Sequence, residues 1–215
     1  MIPCLKRRVH LTAFVLALAL LSSCATSSLA PCSVEGDFDP PANFLPVVDL
    51  AGHPAGVYRG AQPESCDELQ YLRSIGVRSI LKLNDRGLTQ DESEIRDAEA
   101  LGFVVRSFAF NAFTIGRRSS CDQVRDALGF LADESNWPVY VHCSAGKDRT
   151  GYIVGMFERF ELDRDIESVL EELHAAGHSG IRSLLMNQID RELASPSPVC
   201  MPASGRVEAT ASMRP

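Results

Sequence analysis

The sequence predicts an α/β domain: a central, mostly parallel sheet flanked by helices. Two observations carry that expectation. Short runs of β-forming residues alternate with helical runs of about ten residues between positions 57 and 193, and helices of that length between strands suit parallel crossovers. A strongly apolar strand also runs straight into His142, Cys143 and a small-residue loop before an apolar helical stretch begins. In open sheets of this kind, ligands bind beyond the carboxyl ends of strands.

The elements follow in order. Val57-Tyr58-Arg59 reads as a short strand, and Cys66 to Ser74 as a helix that ends by Gly76. Val77 to Leu83 (VRSILKL) is a strong strand, and Glu92 to Leu101 a helix stopped by Gly102. Phe103 to Phe108 is a strand, Ser120 to Glu134 a helix and Val139 to Val141 a buried strand. The run TGYIVGMFERF after Arg149 is a mostly apolar helix, followed by helical runs from Asp165 to Ala175 and Ile181 to Leu193. There is no internal repeat. The folded domain is expected over residues 47–194, preceded by a tether at 24–46 and followed by a loose tail at 195–215. Both flanks are rich in Pro, Ser and Ala.

The first residues do not belong to that core. Lys6, Arg7 and Arg8 precede an apolar run from Leu11 to Leu21, the layout of a secretory signal and too short to span a bilayer. Leu21-Ser22-Ser23-Cys24 resembles the lipobox of bacterial lipoproteins. That resemblance implies cleavage after residue 23, lipid on Cys24, and export to a bacterial membrane facing the periplasm or cell exterior. An ordinary secretory signal, cut between Cys24 and Ala30, is the alternative. Without residues 1–23 the chain keeps 18 of its 21 basic residues against 28 acidic ones, a balance that argues against a nucleic-acid partner. Cys32, Cys66, Cys121, Cys143 and Cys200 then remain beyond Cys24. An exported compartment permits at most two bridges among these five. Cys66 and Cys121 are candidate partners for Cys32 or for each other. No Cys or His spacing suggests a metal site.

Residues 142–151 carry the chemistry. A loop curling into a helix N-terminus gathers unpaired N–H groups and a partial positive charge, which is an anion cradle. Ser144, Ala145 and Gly146 are small enough for the backbone to close on an anion. Lys147 adds a cation beside it, and Arg149 offers a planar fork for two oxyanion oxygens. The same donors would draw the Cys143 thiol below its ordinary pKa, making a nucleophile aimed at a bound tetrahedral anion.

His142-Cys143-Ser144-Ala145-Gly146-Lys147-Asp148-Arg149-Thr150-Gly151 resembles the signature loop HC-x5-R-[ST] of the cysteine-dependent protein tyrosine phosphatases, with an ending similar to their dual-specificity and inositol-phosphate-acting branches. Tyr58-Arg59-Gly60-Ala61-Gln62-Pro63 and the Gly76-Val77-Arg78-Ser79-Ile80 segment extend the likeness over most of residues 57–175. The resemblance implies a tyrosine-phosphatase-like fold of dual-specificity size and attack by Cys143 to form a phosphocysteine. Arg149 and the N–H groups of residues 144–149 would bind the phosphoryl oxygens. The Thr150 hydroxyl would donate to the sulfur, and His142 would order the loop by a backbone hydrogen bond rather than act as a base. No metal or other cofactor is implied, and a monomer is expected. Sulfurtransferases and arsenate reductases also use a loop cysteine, but Arg149 and Thr150 favour phosphoryl chemistry.

One part of the pattern is missing. The family's general acid, an aspartate on the loop after the third long strand, has no counterpart between Phe103 and Ser120. Asn111 and Ala112 occupy its place, and neither supplies a proton well. Asp148 inside the loop is the first candidate, Asp85 or Asp91 the second, and loss of the acid the third. Without it, substrates with good leaving groups would be favoured. Phe113 is a candidate ring contact on that lid, ahead of Phe108 and Phe110, and Arg117 a candidate contact for a second anion. The expected substrate is a phosphotyrosine protein, with a multiply phosphorylated inositol or phosphoinositide as the alternative and a phosphate-binding module with weak catalysis as a third possibility.

Overall fold

The computed structural model describes residues 38–47, 56–85, 89–177 and 183–202. The expected leader, Cys24, Cys32 and the end of the tail lie outside the described residues. No helix among the described residues is long and apolar enough to cross a membrane.

Five strands form one sheet in the order β1-β2-β5-β3-β4: β1 (Leu45–Pro46), β2 (Val57–Ala61), β3 (Ser79–Lys82), β4 (Val104–Ser107) and β5 (Val139–Cys143). All pairs are parallel except β1 with β2. Among the described residues the α-helices are α1 (Cys66–Ser74), α2 (Thr89–Ala100), α3 (Cys121–Ala132), α4 (Asp148–Phe160), α5 (Ile166–Ala175) and α6 (Ser183–Ala194). Every predicted element is present. The strand β5 runs two residues further than expected, to Cys143, because it lies between β2 and β3 and pairs with both.

Side-chain alternation along strands, with its period of two, sorts the sheet into two faces. Ile80 and Tyr140 point to a layer with Leu69 and Leu72 of α1 and Ala98 of α2. Leu81, Val139 and Val141 point to a larger core with α3, α4, α5 and α6. The helix α4 is buried along nearly its whole length, which is why its sequence is apolar on most sides. Gly76, just past α1, has φ of +87°, a conformation that ends the helix at little cost in a residue without Cβ.

The domain is wider than residues 47–194. In the segment read as a tether, Ala42 O accepts from Ala61 N at 2.8 Å. Phe44 stacks on Tyr58 and meets Tyr71 edge-on, and β1 adds an antiparallel edge. In the segment read as a loose tail, Cys200 is fully buried and bonded to Cys121 at the start of α3. That bridge replaces the pairing of Cys121 with Cys66 or Cys32 considered from the sequence. Cys66 is itself disulfide-bonded. Among the described residues, Cys143 is a free thiol.

Candidate active site

The strand β5 delivers Cys143 to its carboxyl end, and residues 144–147 turn it into α4. Gly146 makes the turn possible. Its φ is +68°, and a Cβ there would stand 2.3 Å from the Gly60 carbonyl carbon and 2.6 Å from Ala61 N. The loop therefore packs directly on the backbone of β2. Only glycine fits on both counts.

Cys143 is 4% exposed. Burial pushes its thiol up, but the Thr150 hydroxyl and N–H, the Arg149 charge and the Ala145 N–H together hold it below the ordinary value. The Thr150 hydroxyl is buried and has no other partner. Arg149 stands at the front of the loop. Its guanidinium makes long contacts of 3.4 Å to the carbonyls of Leu83 and Phe110 and to Ser144 Oγ. The end of β3 and the lid after β4 thus orient it, leaving it only loosely held. The arrangement suits a tetrahedral oxyanion: a thiol at the bottom, small-residue N–H groups around it and a guanidinium at the rim.

His142 is completely buried on the other face of β5. The expected backbone hydrogen bond is not the contact it makes. Its Nε2 stands 2.8 Å from Glu94 Oε1, and its ring stacks on Tyr140. Lys82 is the direct cross-strand partner of His142, so both side chains meet α2. Lys82 Nζ lies 2.8 Å from Asp91 Oδ1 and 2.7 Å from Glu94 Oε2. Gln62 Nε2 donates to the same two carboxylates, and Asn84 Nδ2 donates to Gln62 Oε1. Burial alone would raise the Glu94 carboxyl, yet His142 and Lys82 hold it below the ordinary value. The network clamps three strand ends to α2 behind the loop. It also occupies Asp91, whose buried carboxylate pairs with Lys82 and Gln62 on the α2 side of the sheet and lines neither cleft beside the loop.

Two clefts flank the loop. One of about 570 Å³ is lined by Asp85, Ala109, Phe110, Asn111, Phe113 and Arg149 among others. The second, about 510 Å³, is lined by Asn43, Gln62, Ser144, Ala145, Lys147 and Gly177 among others. Phe113 is 69% exposed at the first cleft, while Phe110 is buried beneath it and Phe108 packs on Phe130. Asn111 is the cap of a 3-10 turn, its Oδ1 accepting from Phe113 N at 2.9 Å. Arg117 lines neither cleft, contrary to expectation. It is exposed at the start of the next 3-10 turn, and its carbonyl accepts from Ser120 Oγ. Asp148 opens α4 and lines neither cleft, whereas Asp85 stands in the same cleft as Arg149.

Two contributors were not singled out from the sequence. Arg59, in the middle of β2, is 5% exposed and donates from Nη2 to Gly146 O at 2.9 Å. Asn43 lies in the segment taken as a tether and donates to Gly146 O at 3.2 Å. A cation inside the otherwise apolar and small strand VYRGA was the available signal for the first; nothing local marked the second.

The sequence profile of the tyrosine phosphatase family matches residues 40–204. Inositol diphosphatase DSP3 of Arabidopsis thaliana is 32% identical over 134 residues, 62% of this chain and 61% of the relative, so the match spans under two thirds of that protein's length. The core catalytic domain of the PP-IP phosphatase SIW14 from S. cerevisiae superposes with a TM-score of 0.58 at 21% identity, covering 71% of this chain and 86% of that one. A cysteine-to-serine form of P. aeruginosa TpbA in complex with pTyr gives 0.51 at 21% identity, covering 65% and 78%. The last two likenesses bear on the fold.

Proposed function

The chain belongs to the tyrosine phosphatase family of cysteine-dependent phosphatases, and from that premise we propose that it hydrolyses phosphoryl groups through Cys143. The thiolate attacks phosphorus, the leaving oxygen departs with a proton, and a phosphocysteine forms. Water then attacks phosphorus and the sulfur leaves as a thiolate, stabilised by the Thr150 hydroxyl. Arg149 and the loop N–H groups hold the three non-bridging oxygens in both steps. The observation that carries this reading is the buried free thiol held below its ordinary pKa by Thr150 and Arg149.

Asp85 is our candidate for the proton donor, supported by its place in the cleft with Arg149 and Phe113. The lid itself carries Asn111 where a family acid is expected, so a good leaving group matters. A diphosphate qualifies, because its leaving group is a phosphate monoester whose second pKa is about 6, far below that of an alkyl alcohol. We therefore propose a multiply phosphorylated small molecule of the inositol diphosphate class as substrate, ahead of the phosphotyrosine protein favoured from the sequence alone. Open clefts on both sides of the loop, with Lys147 in one and Arg149 in the other, support a ligand bearing several phosphates. Phosphotyrosine stays as the second reading because Phe113 is exposed beside Arg149 and an aryl oxygen also leaves easily.

The test is a panel of kcat/KM values on a soluble inositol diphosphate, an inositol monophosphate, a phosphoinositide and phosphotyrosine peptides. Cys143→Ser should abolish all turnover while keeping vanadate binding; turnover in that variant sinks the mechanism. A preference of about 100-fold for the peptide reverses the substrate ranking. Asp85→Asn should slow the poorest leaving groups most, and an equal or larger effect in Asp148→Asn transfers the role to that residue. Export with lipid on Cys24 is a separate proposal, supported by the leader sequence and by the Cys121–Cys200 disulfide, a bond that persists in oxidising compartments. Loss of radiolabelled fatty acid incorporation in Cys24→Ala tests it, and unchanged labelling refutes it.

A further inference from the structure

We propose that Arg59 and Asn43 are positioning residues that set the peptide orientation of the phosphate cradle. The inference rests on the phosphatase reading above and concerns how the cradle is held rather than whether it acts. A trans peptide is planar, so a carbonyl and the N–H that follows it point in opposite directions. Arg59 Nη2 donates to Gly146 O at 2.9 Å, and Asn43 Nδ2 donates to the same oxygen at 3.2 Å. Both donors lie on the side of the loop that faces β2 and residues 42–47. With that carbonyl anchored outward, the Lys147 N–H faces inward, where phosphoryl oxygens would sit. A weaker contact of Asn43 Nδ2 to Ala145 O, at 3.4 Å, biases the Gly146 N–H in the same sense.

The loop needs such anchors. Gly146 occupies the left-handed region, where glycine has several accessible conformations of similar energy, so its own backbone does not decide which way the peptides turn. Outside donors do. Arg59 is well suited because it is buried and fixed on a strand whose register with β5 sets Gly60 beside His142 and Ala61 beside Cys143. Asn43 is fixed differently. It has φ of 57°, which asparagine tolerates, and its side chain also donates to Ala176 O at 3.0 Å, past the end of α5. The segment before β1 and the end of α5 are thereby tied to one loop carbonyl.

Arg59 has a second effect. It lies within electrostatic reach of Cys143, Glu158 and Glu172, and shares one cavity wall with the two glutamates. Held against the loop at Gly146 O, its positive charge acts on the thiolate in the same direction as that of Arg149. Burial draws the guanidinium below its ordinary pKa, but an arginine stays protonated at neutral pH.

The test compares wild type, Arg59→Met, Arg59→Lys and Asn43→Ala in the full chain. Two readouts are used: vanadate affinity by calorimetry, and the pH midpoint of Cys143 alkylation by iodoacetamide. Arg59→Met should weaken vanadate by about 10-fold or more, the loss expected for a charge-assisted hydrogen bond, and should move the alkylation midpoint upward. Arg59→Lys should restore the midpoint better than the affinity, because it returns the charge without the fork. Asn43→Ala should weaken vanadate by about 3-fold and leave the midpoint in place. Wild-type affinity and midpoint in folded Arg59→Met and wild-type affinity in Asn43→Ala overturn the proposal. If Arg59→Met does not fold, unchanged vanadate affinity in both Arg59→Lys and Asn43→Ala overturns it. A wild type that binds no vanadate and releases no phosphate overturns the phosphatase reading instead, so the two failures are distinguishable.

Discussion

Replacing Gly146 with alanine isolates the loop's backbone from its side chains. The left-handed φ of +68° costs an L-residue about 1–2 kcal/mol. The larger effect is steric. The new Cβ would stand 2.3 Å from the Gly60 carbonyl carbon and 2.4 Å from its oxygen, where ordinary contact begins at 3.4 Å. The two backbones must therefore separate by about 1 Å, and β2 cannot yield easily because it pairs with β5 along five residues. The loop moves instead, carrying its N–H donors off the phosphoryl oxygens. A misplacement of that size costs about 100-fold in rate, or about 2.7 kcal/mol of transition-state stabilisation. The assay is kcat/KM on an aryl phosphate with vanadate affinity and a thermal melt alongside. Gly76→Ala is the control. It shares a positive φ of +87°, yet its Cβ would meet nothing within 4 Å, so it should lower stability by about 1–2 kcal/mol and leave kcat/KM alone. If Gly146→Ala keeps kcat/KM and vanadate affinity within about 3-fold of wild type, the close packing of loop on strand is not what shapes the cradle.

Three further outcomes are expected. Lys82→Met leaves two buried carboxylates without their cation and should destabilise the fold by about 3–5 kcal/mol in urea titration; adding Glu94→Gln to it should recover part of that loss. Burial and the neighbouring Glu172 push the Glu158 carboxyl up to about 7, against the pull of Arg164 and Arg59. Its contribution to stability is thus complete below the ordinary carboxylate pKa and is lost as pH rises through about 7, so Tm should fall over that window and Glu158→Gln should flatten the fall. Cys121 and Cys200 are 79 residues apart, so Cys200→Ser should cost about 4.5 kcal/mol by the loop-entropy argument, read as a Tm drop under non-reducing conditions that wild type shows only with reductant.

By itself the sequence determined the alternation of strands and helices and the loop at 142–151, because both are written in contiguous residues. Periodicity marks which face of an element is buried, and the loop's neighbours in sequence are its neighbours in space. Tertiary structure alone decided everything that joins distant segments. Lys82 looks like a surface charge in VRSILKL, and only its pairing with His142 and the docking of α2 make it the centre of a buried network. Asn43 and Cys200 sit in stretches whose composition suits a tether and a tail, yet a hydrogen bond to residue 146 and a disulfide to residue 121 draw them into the domain. Composition reports how much apolar surface a segment offers, not whether a single polar or sulfur contact holds it. The acids divide the same way. Asp85, Asp91 and Asp148 are chemically alike in the sequence, and only burial against Lys82 or exposure beside Arg149 separates them, because a carboxyl's chemistry is set by what folding brings within a few ångströms of it.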